Sequence, residues 1–149
     1  MEKNISNRQI NETSAGIIFA RNVDGEYVFL LLRSYNFWNA PKGHVESGET
    51  TLDAAIREVK EEAAIDKVDI NFKWDKESYT TEPFKKGHKI DIFFVAETTK
   101  KDITMPINPE LGHPEHEEYR WVTYEEGLKL TNERIGKALT WAYNKIKGT

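Results

Sequence analysis

Five glutamates are concentrated in one stretch of the sequence, GHVESGETTLDAAIREVKEEAAI, residues 43–65. Glu58, Glu61 and Glu62 have the spacing that puts side chains on one flank of a helix, with Arg57 beside them. Like charges at this spacing repel each other, whereas a divalent cation bound between them removes the conflict. Carboxylate oxygens are the ligands that Mg2+ and Mn2+ prefer. We call these three residues the glutamate ridge, and their spacing suggests a metal site.

The glutamate ridge also allows a second interpretation. Glutamate-rich helices are common on protein surfaces, and Arg57 and Lys60 offer balancing positive charges within the same segment. Charge spacing alone does not distinguish a metal site from such a hydrated acidic face.

A helix must carry the ridge if its members are to act together. Thr50 can accept a hydrogen bond from the backbone N–H of Asp53, and neither Gly nor Pro occurs between residues 51 and 65. We therefore predict a helix over residues 51–63. Its apolar residues recur at steps of three and four and are expected to face the core: Leu52, Ala55, Ile56, Val59 and Ala63.

The whole chain limits the classes of protein to consider. With 149 residues, of which 38% are hydrophobic, it is predicted to form one domain, residues 1–149. A formal charge of -4 argues against general nucleic-acid binding. The absence of Cys excludes disulfides, thiolate metal sites and a cysteine nucleophile. The N-terminal dozen residues are polar, and no apolar run is long enough to span a membrane, so we expect a soluble, cytoplasmic protein.

Local patterns predict the other strands and loops. Residues 14–21 and 27–33 are expected to form a hairpin about Asp24-Gly25. Further strands are predicted at DINFKW, KESYTTE, KIDIFFVAE and EYRWVT. The segments NAPKGHVESGE and TTKKDITMPINPELGHPEHEE are predicted to be loops, and a loop as long as the second is often functional.

Two more helices are predicted near the C-terminus. Thr123 and Glu126 have the spacing of a capping box before a short helix. The segment NERIGKALTWAYNKIK is expected to form an amphipathic helix with a core stripe of Ile135, Ala138, Leu139, Ala142 and Ile146. Strands and helices are mixed without regular alternation, which indicates an α/β sandwich around a mixed sheet.

The stretch 43–65 resembles the Nudix box, G-x5-E-x7-R-E-U-x-E-E-x-G-U, where U is aliphatic. Eight of its nine defined positions match the sequence: Gly43, Glu49, Arg57, Glu58, Val59, Glu61, Glu62 and Ile65. The ninth, a glycine in the box, is Ala64 here. A match of this extent is highly specific, and we identify the chain as a member of the Nudix family.

The resemblance implies a fold, a cofactor and roles for several residues. Nudix proteins are α/β/α sandwiches with a mixed sheet, and most hydrolyse a nucleoside diphosphate linked to another group with the help of Mg2+ or Mn2+. The ridge and the backbone near Gly43 are then implied as metal ligands. Arg57 is implied to orient the glutamates, and Glu49 to pair with Arg57. The implied catalytic residues are Arg57, Glu58, Glu61 and Glu115.

Glu115 enters through a closer resemblance. The pattern E-H-x-x-Y-x-W around it, and the run FWNAPKGHVESGE, are similar to those of the asymmetric diadenosine tetraphosphate hydrolases within the Nudix family. The similarity implies that Glu115 is a further metal ligand or the general base. A hydrated acidic loop is the alternative for this cluster.

Substrate contacts are implied by the same subfamily resemblance. Basic residues near the metal loop and in the PFKKGH connection are expected to bind the polyphosphate: Lys42, His44, Lys85 and Lys89. A structural histidine and an ordinary charged turn are the alternatives. Tyr79 and Phe84 are candidates for stacking on the nucleosides, although no position aligns securely with the stacking tyrosines of the subfamily. Trp38 and Trp121 are expected in the core.

The resulting hypothesis is an enzyme that cleaves diadenosine tetraphosphate asymmetrically to ATP and AMP. An RNA 5′ pyrophosphohydrolase or a nucleoside triphosphate sanitiser would use the same ridge with a different base pocket. A non-catalytic nucleotide sensor would be expected to lack box glutamates, and all are present. We expect a monomer with a nucleotide substrate and no membrane partner.

Overall fold

The computed structural model describes residues 10–148, so most of the polar N-terminal stretch considered above lies outside the described residues. The main sheet has seven strands, of which five follow the order β3-β2-β1-β6-β5. Their bounds are β1 Glu12–Val23, β2 Glu26–Ser34, β3 Phe37–Asn39, β5 Tyr79–Thr80 and β6 Lys89–Glu97. Two more strands, β4 Lys42–His44 and β9 Glu118–Val122, pair with β1 and β2 respectively.

The sheet is mixed, as predicted. β1 and β6 run parallel, with Ala15 opposite Ile92, while every other pairing in the sheet is antiparallel. The β1–β2 hairpin turns at Asp24 and Gly25, whose φ angles of 52° and 91° are the positive values that a tight two-residue turn requires.

Within residues 10–148, three α-helices pack on the sheet: α1 Thr51–Ala63, α2 Tyr124–Leu130 and α3 Glu133–Lys147. The bounds of α1 are those predicted, and the hydroxyl of Thr50 accepts from the N–H of Asp53 at 3.1 Å. The capping box of Thr123 and Glu126 is present at the start of α2. Asn132 caps α3 by accepting from the N–H of Ile135.

The helices cover both faces of the sheet because strand side chains alternate. Ala15, Ile17 and Phe19 of β1 pack with the apolar face of α1. Ile18 and Ala20 point the other way and pack with the buried stripe of α3. The α/β/α sandwich predicted from the sequence is therefore confirmed.

Two strand predictions and two loop predictions were wrong in detail. DINFKW forms no strand: a 3-10 turn spans Lys67–Asp69, and only Asn71 makes a β-bridge, to Glu97. The apolar side chains of this segment pack against the core without strand pairing. Alternation of apolar and polar residues here therefore does not require β-sheet hydrogen bonds. KESYTTE contributes only the two residues of β5. The two predicted loops contain short strands, β4 in the first and the pair β7 Ile107–Asn108 and β8 His113–Pro114 in the second.

No helix within residues 10–148 combines the length and the apolar character needed to cross a bilayer.

Candidate active site

Gly43 and Glu58 bring the β4 loop and helix α1 into direct contact. Gly43 lies in β4 opposite Ala15, on the face of the sheet that α1 covers. A β-carbon at residue 43 would overlap the carboxylate of Glu58. The glycine is therefore required by close approach, and it leaves a cradle that the glutamate side chain fills.

Arg57 is the centre of a network that fixes the orientation of the acidic side chains. Its Nε and Nη2 donate to the two oxygens of Glu49, at 2.7 and 3.0 Å, so the pair that the resemblance implied is present and is bidentate. Its Nη1 donates to Glu58 at 2.9 Å and to Glu61 at 3.1 Å. A further bond from Nη2 to the carbonyl of His44, at 2.8 Å, attaches the loop to the helix.

The network leaves an excess of negative charge around one guanidinium. The carboxylates of Glu49, Glu58 and Glu61 all bond to Arg57, and a fourth, from Glu46, lies 3.8 Å from its Nη1. The Arg57 guanidinium lowers the pKa of Glu49 to about 2 by hydrogen bonding to its carboxylate. One cation cannot neutralise four anions, so the cluster favours a further positive charge.

Two members of the glutamate ridge are buried, which excludes the hydrated-face interpretation. Glu58 is 9% and Glu62 is 6% exposed, whereas the side chain of Glu61 is 56% exposed. Oε1 of Glu62 accepts from the backbone N–H of Lys42 at 3.1 Å. In the hydrated-face interpretation, Lys60 balances the charge of these glutamates. Its Nζ lies instead 3.7 Å from Oδ1 of Asp66.

Burial and mutual repulsion shift the buried glutamates toward the neutral form. Desolvation is the main cause that raises the pKa of Glu58, although Arg57 opposes it. Desolvation also raises the pKa of Glu62 well above its usual range, and the charge of Glu115 adds to the effect. Glu115 acts on Glu58 in the same direction. The loop residue and the ridge are therefore electrostatic neighbours, although 53 residues separate Glu62 from Glu115 in the sequence.

The segment after Glu115 is fixed by Arg33 of β2. Its Nη1 donates to Glu117 at 2.8 Å and its Nε donates to Glu118 at 2.9 Å. The carbonyl of Arg33 also accepts from the N–H of Glu117. Between these anchors and the ridge lies His116, whose pKa is lowered to about 4 by burial and by the charge of Lys42.

The predicted phosphate-binding lysines share one face of the sheet. Lys42 pairs with Gly16 in β1, and Lys89 pairs with Glu12, so both side chains lie on the α3 face. Lys42 lowers the pKa of Lys89, after the larger effect of burial. Within residues 10–148, neither ammonium group has a carboxylate oxygen within 4.0 Å.

The other predicted substrate contacts occupy more peripheral positions. Lys85 is exposed in the β5–β6 connection, in a left-handed conformation with φ of 53°. His44 is exposed in β4, and its carbonyl binds Arg57. Phe84 lies beneath the guanidinium of Arg134, and its ring centroid is 3.6 Å from Cζ of that arginine.

Tyr79 is not close to the glutamate ridge. It pairs with Phe93 in β6, packs on the α3 side of the sheet and lies 5.7 Å from Trp141 between ring centroids. It lines an open cavity of about 430 Å3 with residues of α2 and α3, among them Leu128 and Gly136. The parity of β5 directs the ring of Tyr79 away from α1 and the ridge, toward the α3 side of the sheet.

Sequence reasoning missed three residues of this region. Arg33 holds the Glu115 loop, and Arg134 pairs with Asp91 through an Nη1–Oδ2 distance of 2.6 Å. Asp91 offered one signal, an acidic residue at an inward position of the otherwise apolar strand KIDIFFVAE. Arg33 and Arg134 offered none, because each lies where a surface arginine is ordinary.

The residues of the ridge fit a divalent cation by donor chemistry. All candidate donors are oxygens, from Glu58, Glu61, Glu62 and Glu115, and the Gly43 cradle keeps the Glu58 carboxylate against the loop backbone. Among the described residues, no three His, Asp or Glu side chains converge into a complete metal site as arranged. Glu58 and Glu61 are instead turned toward Arg57.

Residues 11–142 match the NUDIX domain family, and the chain therefore belongs to it. The chain is 34% identical over 122 residues to the asymmetrical bis(5'-nucleosyl)-tetraphosphatase of Caenorhabditis elegans, with 80% of this chain and 84% of the relative covered. An RNA pyrophosphohydrolase of Campylobacter jejuni is 29% identical over 114 residues, with 70% and 71% covered. A crystal structure of a C. elegans Ap4A hydrolase binary complex aligns with a TM-score of 0.77 and 28% identity, over 91% of this chain and 99% of that one.

The fold, the box and these similarities together define a Nudix hydrolase homologous to the asymmetrical tetraphosphatases. The family and the fold predicted from the sequence are confirmed.

Proposed function

We propose that this protein hydrolyses dinucleoside tetraphosphates asymmetrically, converting diadenosine tetraphosphate to ATP and AMP with Mg2+ or Mn2+. The observation that carries the proposal is the excess of carboxylates around Arg57. Lys42 links this cluster to the α3 face, because its backbone N–H donates to Glu62 and its charge acts on that carboxylate, while neither Lys42 nor Lys89 has a carboxylate partner within the described residues. The first group suits cations and the second suits phosphates, and a polyphosphate substrate joins them.

The glutamates and Arg57 are proposed to have different roles in the reaction. Glu58, Glu61, Glu62 and Glu115, with the backbone at Gly43, are proposed to hold the divalent cation. When bound, the cation screens phosphate oxygens and lowers the pKa of a water molecule. Arg57 binds Oε2 of both Glu58 and Glu61 and thereby restricts the orientation of the two carboxylates near the proposed cation site.

Hydrolysis needs one bond to form and one to break. The water oxygen attacks the phosphorus of one terminal phosphate, and the bridge to the second phosphate breaks, which releases AMP and ATP. Glu61 or Glu115 accepts the proton from the water, because both carboxylates lie at the solvent-exposed edge of the site. Lys42 and Lys89 are proposed to hold the remaining phosphates, with Lys85 and His44 at the entrance.

The nucleosides are proposed to contact the α3 face. Phe84 lies beside Lys89, with the ammonium 5.7 Å from its ring centroid, and Tyr79 lines the cavity further along this face. These two rings remain our candidates for nucleoside contacts.

An RNA 5′ pyrophosphohydrolase is the second candidate, favoured by the similarity to the Campylobacter enzyme. A triphosphate-ended RNA presents the same polyphosphate to the same cation site. A monomeric protein in the cytoplasm remains part of the proposal, and sedimentation velocity would test the monomer.

Chromatography of the products tests the proposal. Diadenosine tetraphosphate incubated with the protein and Mg2+ is expected to yield ATP and AMP in equal amounts, and the Glu61→Gln variant is expected to be slower by at least about 100-fold. Two molecules of ADP per substrate would contradict the proposal, as would a higher kcat/KM with triphosphate-ended RNA.

A further inference from the structure

Lys89 is a nearly buried lysine without an acidic partner in the described part of the chain. The residue is 7% exposed and stands at the first position of β6. Its ammonium is 5.7 Å from the ring centroid of Phe84, and burial lowers its pKa. A charge in such a position is costly unless a ligand or a neighbouring group compensates for it.

The nearest acidic residue along the same strand face is Asp91. Residues two apart in a strand point to the same side, about 7 Å apart, so a flexible lysine at residue 89 can reach a carboxylate at residue 91. Asp91 is completely buried, and its backbone N–H donates to Thr81. By position, Lys89 has two candidate acidic partners on this face, Glu12 opposite it in β1 and Asp91 in its own strand. The charge of Asp91 acts on Lys89 more strongly than that of Glu12, so an ion pair with Asp91 is expected.

Arg134 binds the Asp91 carboxylate instead. From the first turn of α3, its Nη1 donates to Oδ2 of Asp91 at 2.6 Å. Its guanidinium lies 3.6 Å from the ring centroid of Phe84, which fixes the plane of the group. Oδ1 of Asp91 has no hydrogen-bond partner among the described residues, so this carboxylate depends on Arg134 for compensation.

We propose that Arg134 is a positioning residue for the substrate: it binds the Asp91 carboxylate and thereby keeps the Lys89 ammonium available for the polyphosphate. This inference rests on the proposed function, since it takes phosphate as the ligand of Lys89. Without Arg134, the buried Asp91 anion draws Lys89 to itself, and phosphate must compete with an internal carboxylate.

Two single variants that break the same ion pair separate this role from a structural one. In Arg134→Gln, the anion remains, so KM for diadenosine tetraphosphate is expected to rise about tenfold while kcat changes by less than about twofold. In Asp91→Asn, the carboxylate of residue 91 is removed and cannot compete for Lys89, so KM is expected to equal or fall below that of the wild type. The double variant Asp91→Asn/Arg134→Gln is expected to recover the wild-type KM. A purely structural pair predicts the same direction of change in both single variants, and that result would overturn the inference.

A binding measurement keeps this test separate from the proposed function. Calorimetric titration with inorganic tripolyphosphate requires no turnover, and it is expected to show weakened binding in Arg134→Gln but not in Asp91→Asn. Lys89→Met is the matched control, because removal of Arg134 in that background is expected to change nothing further. Equal tripolyphosphate affinity in the wild type and Arg134→Gln would overturn the inference even if diadenosine tetraphosphate proved not to be a substrate.

Folding of each variant is checked by thermal unfolding, since an uncompensated buried carboxylate is destabilising. If Arg134→Gln does not fold, Asp91→Asn and the double variant carry the test. Both are expected to bind tripolyphosphate at least as tightly as the wild type, and weaker binding by either would contradict the role given to Arg134.

Discussion

Gly43 packs so closely on Glu58 that no side chain at residue 43 is compatible with the observed position of the carboxylate. The contact joins β4 to α1 and sets where one predicted metal ligand stands relative to the loop backbone. The first glycine of the box is therefore explained by close packing. Because Gly43 has no β-carbon, the Glu58 carboxylate can occupy the space beside it.

Gly43→Ala is expected to displace the Glu58 carboxylate and to lower kcat by about 100-fold, because misplacement by about 1 Å has effects of this size. Steady-state kinetics with diadenosine tetraphosphate measures this fall in kcat. Gly136→Ala is the control, since a β-carbon there meets only Leu128 at 3.5 Å and Thr131 at 3.7 Å. Wild-type turnover in Gly43→Ala would show that the position of Glu58 does not matter to the reaction.

Arg57→Lys is expected to lower kcat by about 10- to 100-fold, the range seen when groups that orient metal ligands are lost. One ammonium cannot reproduce the bidentate bond to Glu49 together with the bonds to Glu58 and Glu61. The exposed residue Lys60 offers a control, because Lys60→Arg retains a charge on the same helix outside the network. Retention of full activity by Arg57→Lys would mean that charge alone suffices.

Ala64→Gly is expected to stabilise the protein by about 1 kcal/mol, because Ala64 ends α1 with φ of 54°, where an L-residue other than glycine is strained. Its N–H donates to the carbonyl of Lys60, and the N–H of Ile65 donates to that of Val59, which is the pattern of a left-handed helix end. Denaturant unfolding measures the change. Lys60→Gly, within the helix, is expected to destabilise by about 1 kcal/mol, and stabilisation by both would point to another cause.

His116 is expected to make the protein less stable in mild acid. Its pKa is about 4 in the folded chain and near 6.5 when unfolded, so the unfolded state binds an extra proton between these values. The contribution is complete above pH 6.5 and is lost as the pH falls toward 4. His116→Gln should remove about 1 to 3 kcal/mol of this acid dependence, measured by urea unfolding across this range. An unchanged pH slope would contradict the burial of a neutral imidazole.

The features that the sequence predicted are local ones. The start of α1 was predictable from Thr50, whose hydroxyl accepts from the backbone N–H of Asp53. Its core face was predictable from the spacing of the apolar residues within the helix. The box identified the ridge because all its members lie in one continuous segment.

The features that local patterns could not predict depend on long-range contacts. Only the family resemblance implied Glu115, whose charge acts on Glu58 and Glu62 across the fold, while β9 pairs with β2 and Arg33 binds Glu117 and Glu118. Asp91 and Arg134 come together across the sheet and α3, and neither residue indicates its partner. The apolar alternation of DINFKW is satisfied by packing, so it predicted a strand that does not form.

The glutamate ridge is proposed to bind a divalent cation that hydrolysis requires. Titration with Mn2+, monitored by electron paramagnetic resonance of the free ion, compares the wild type with Glu62→Gln. The wild type is expected to bind Mn2+, whereas Glu62→Gln is expected to lose most of this binding and at least about 100-fold in kcat, with its thermal unfolding temperature unchanged. Equal Mn2+ binding by the two proteins would contradict the assignment of the ridge.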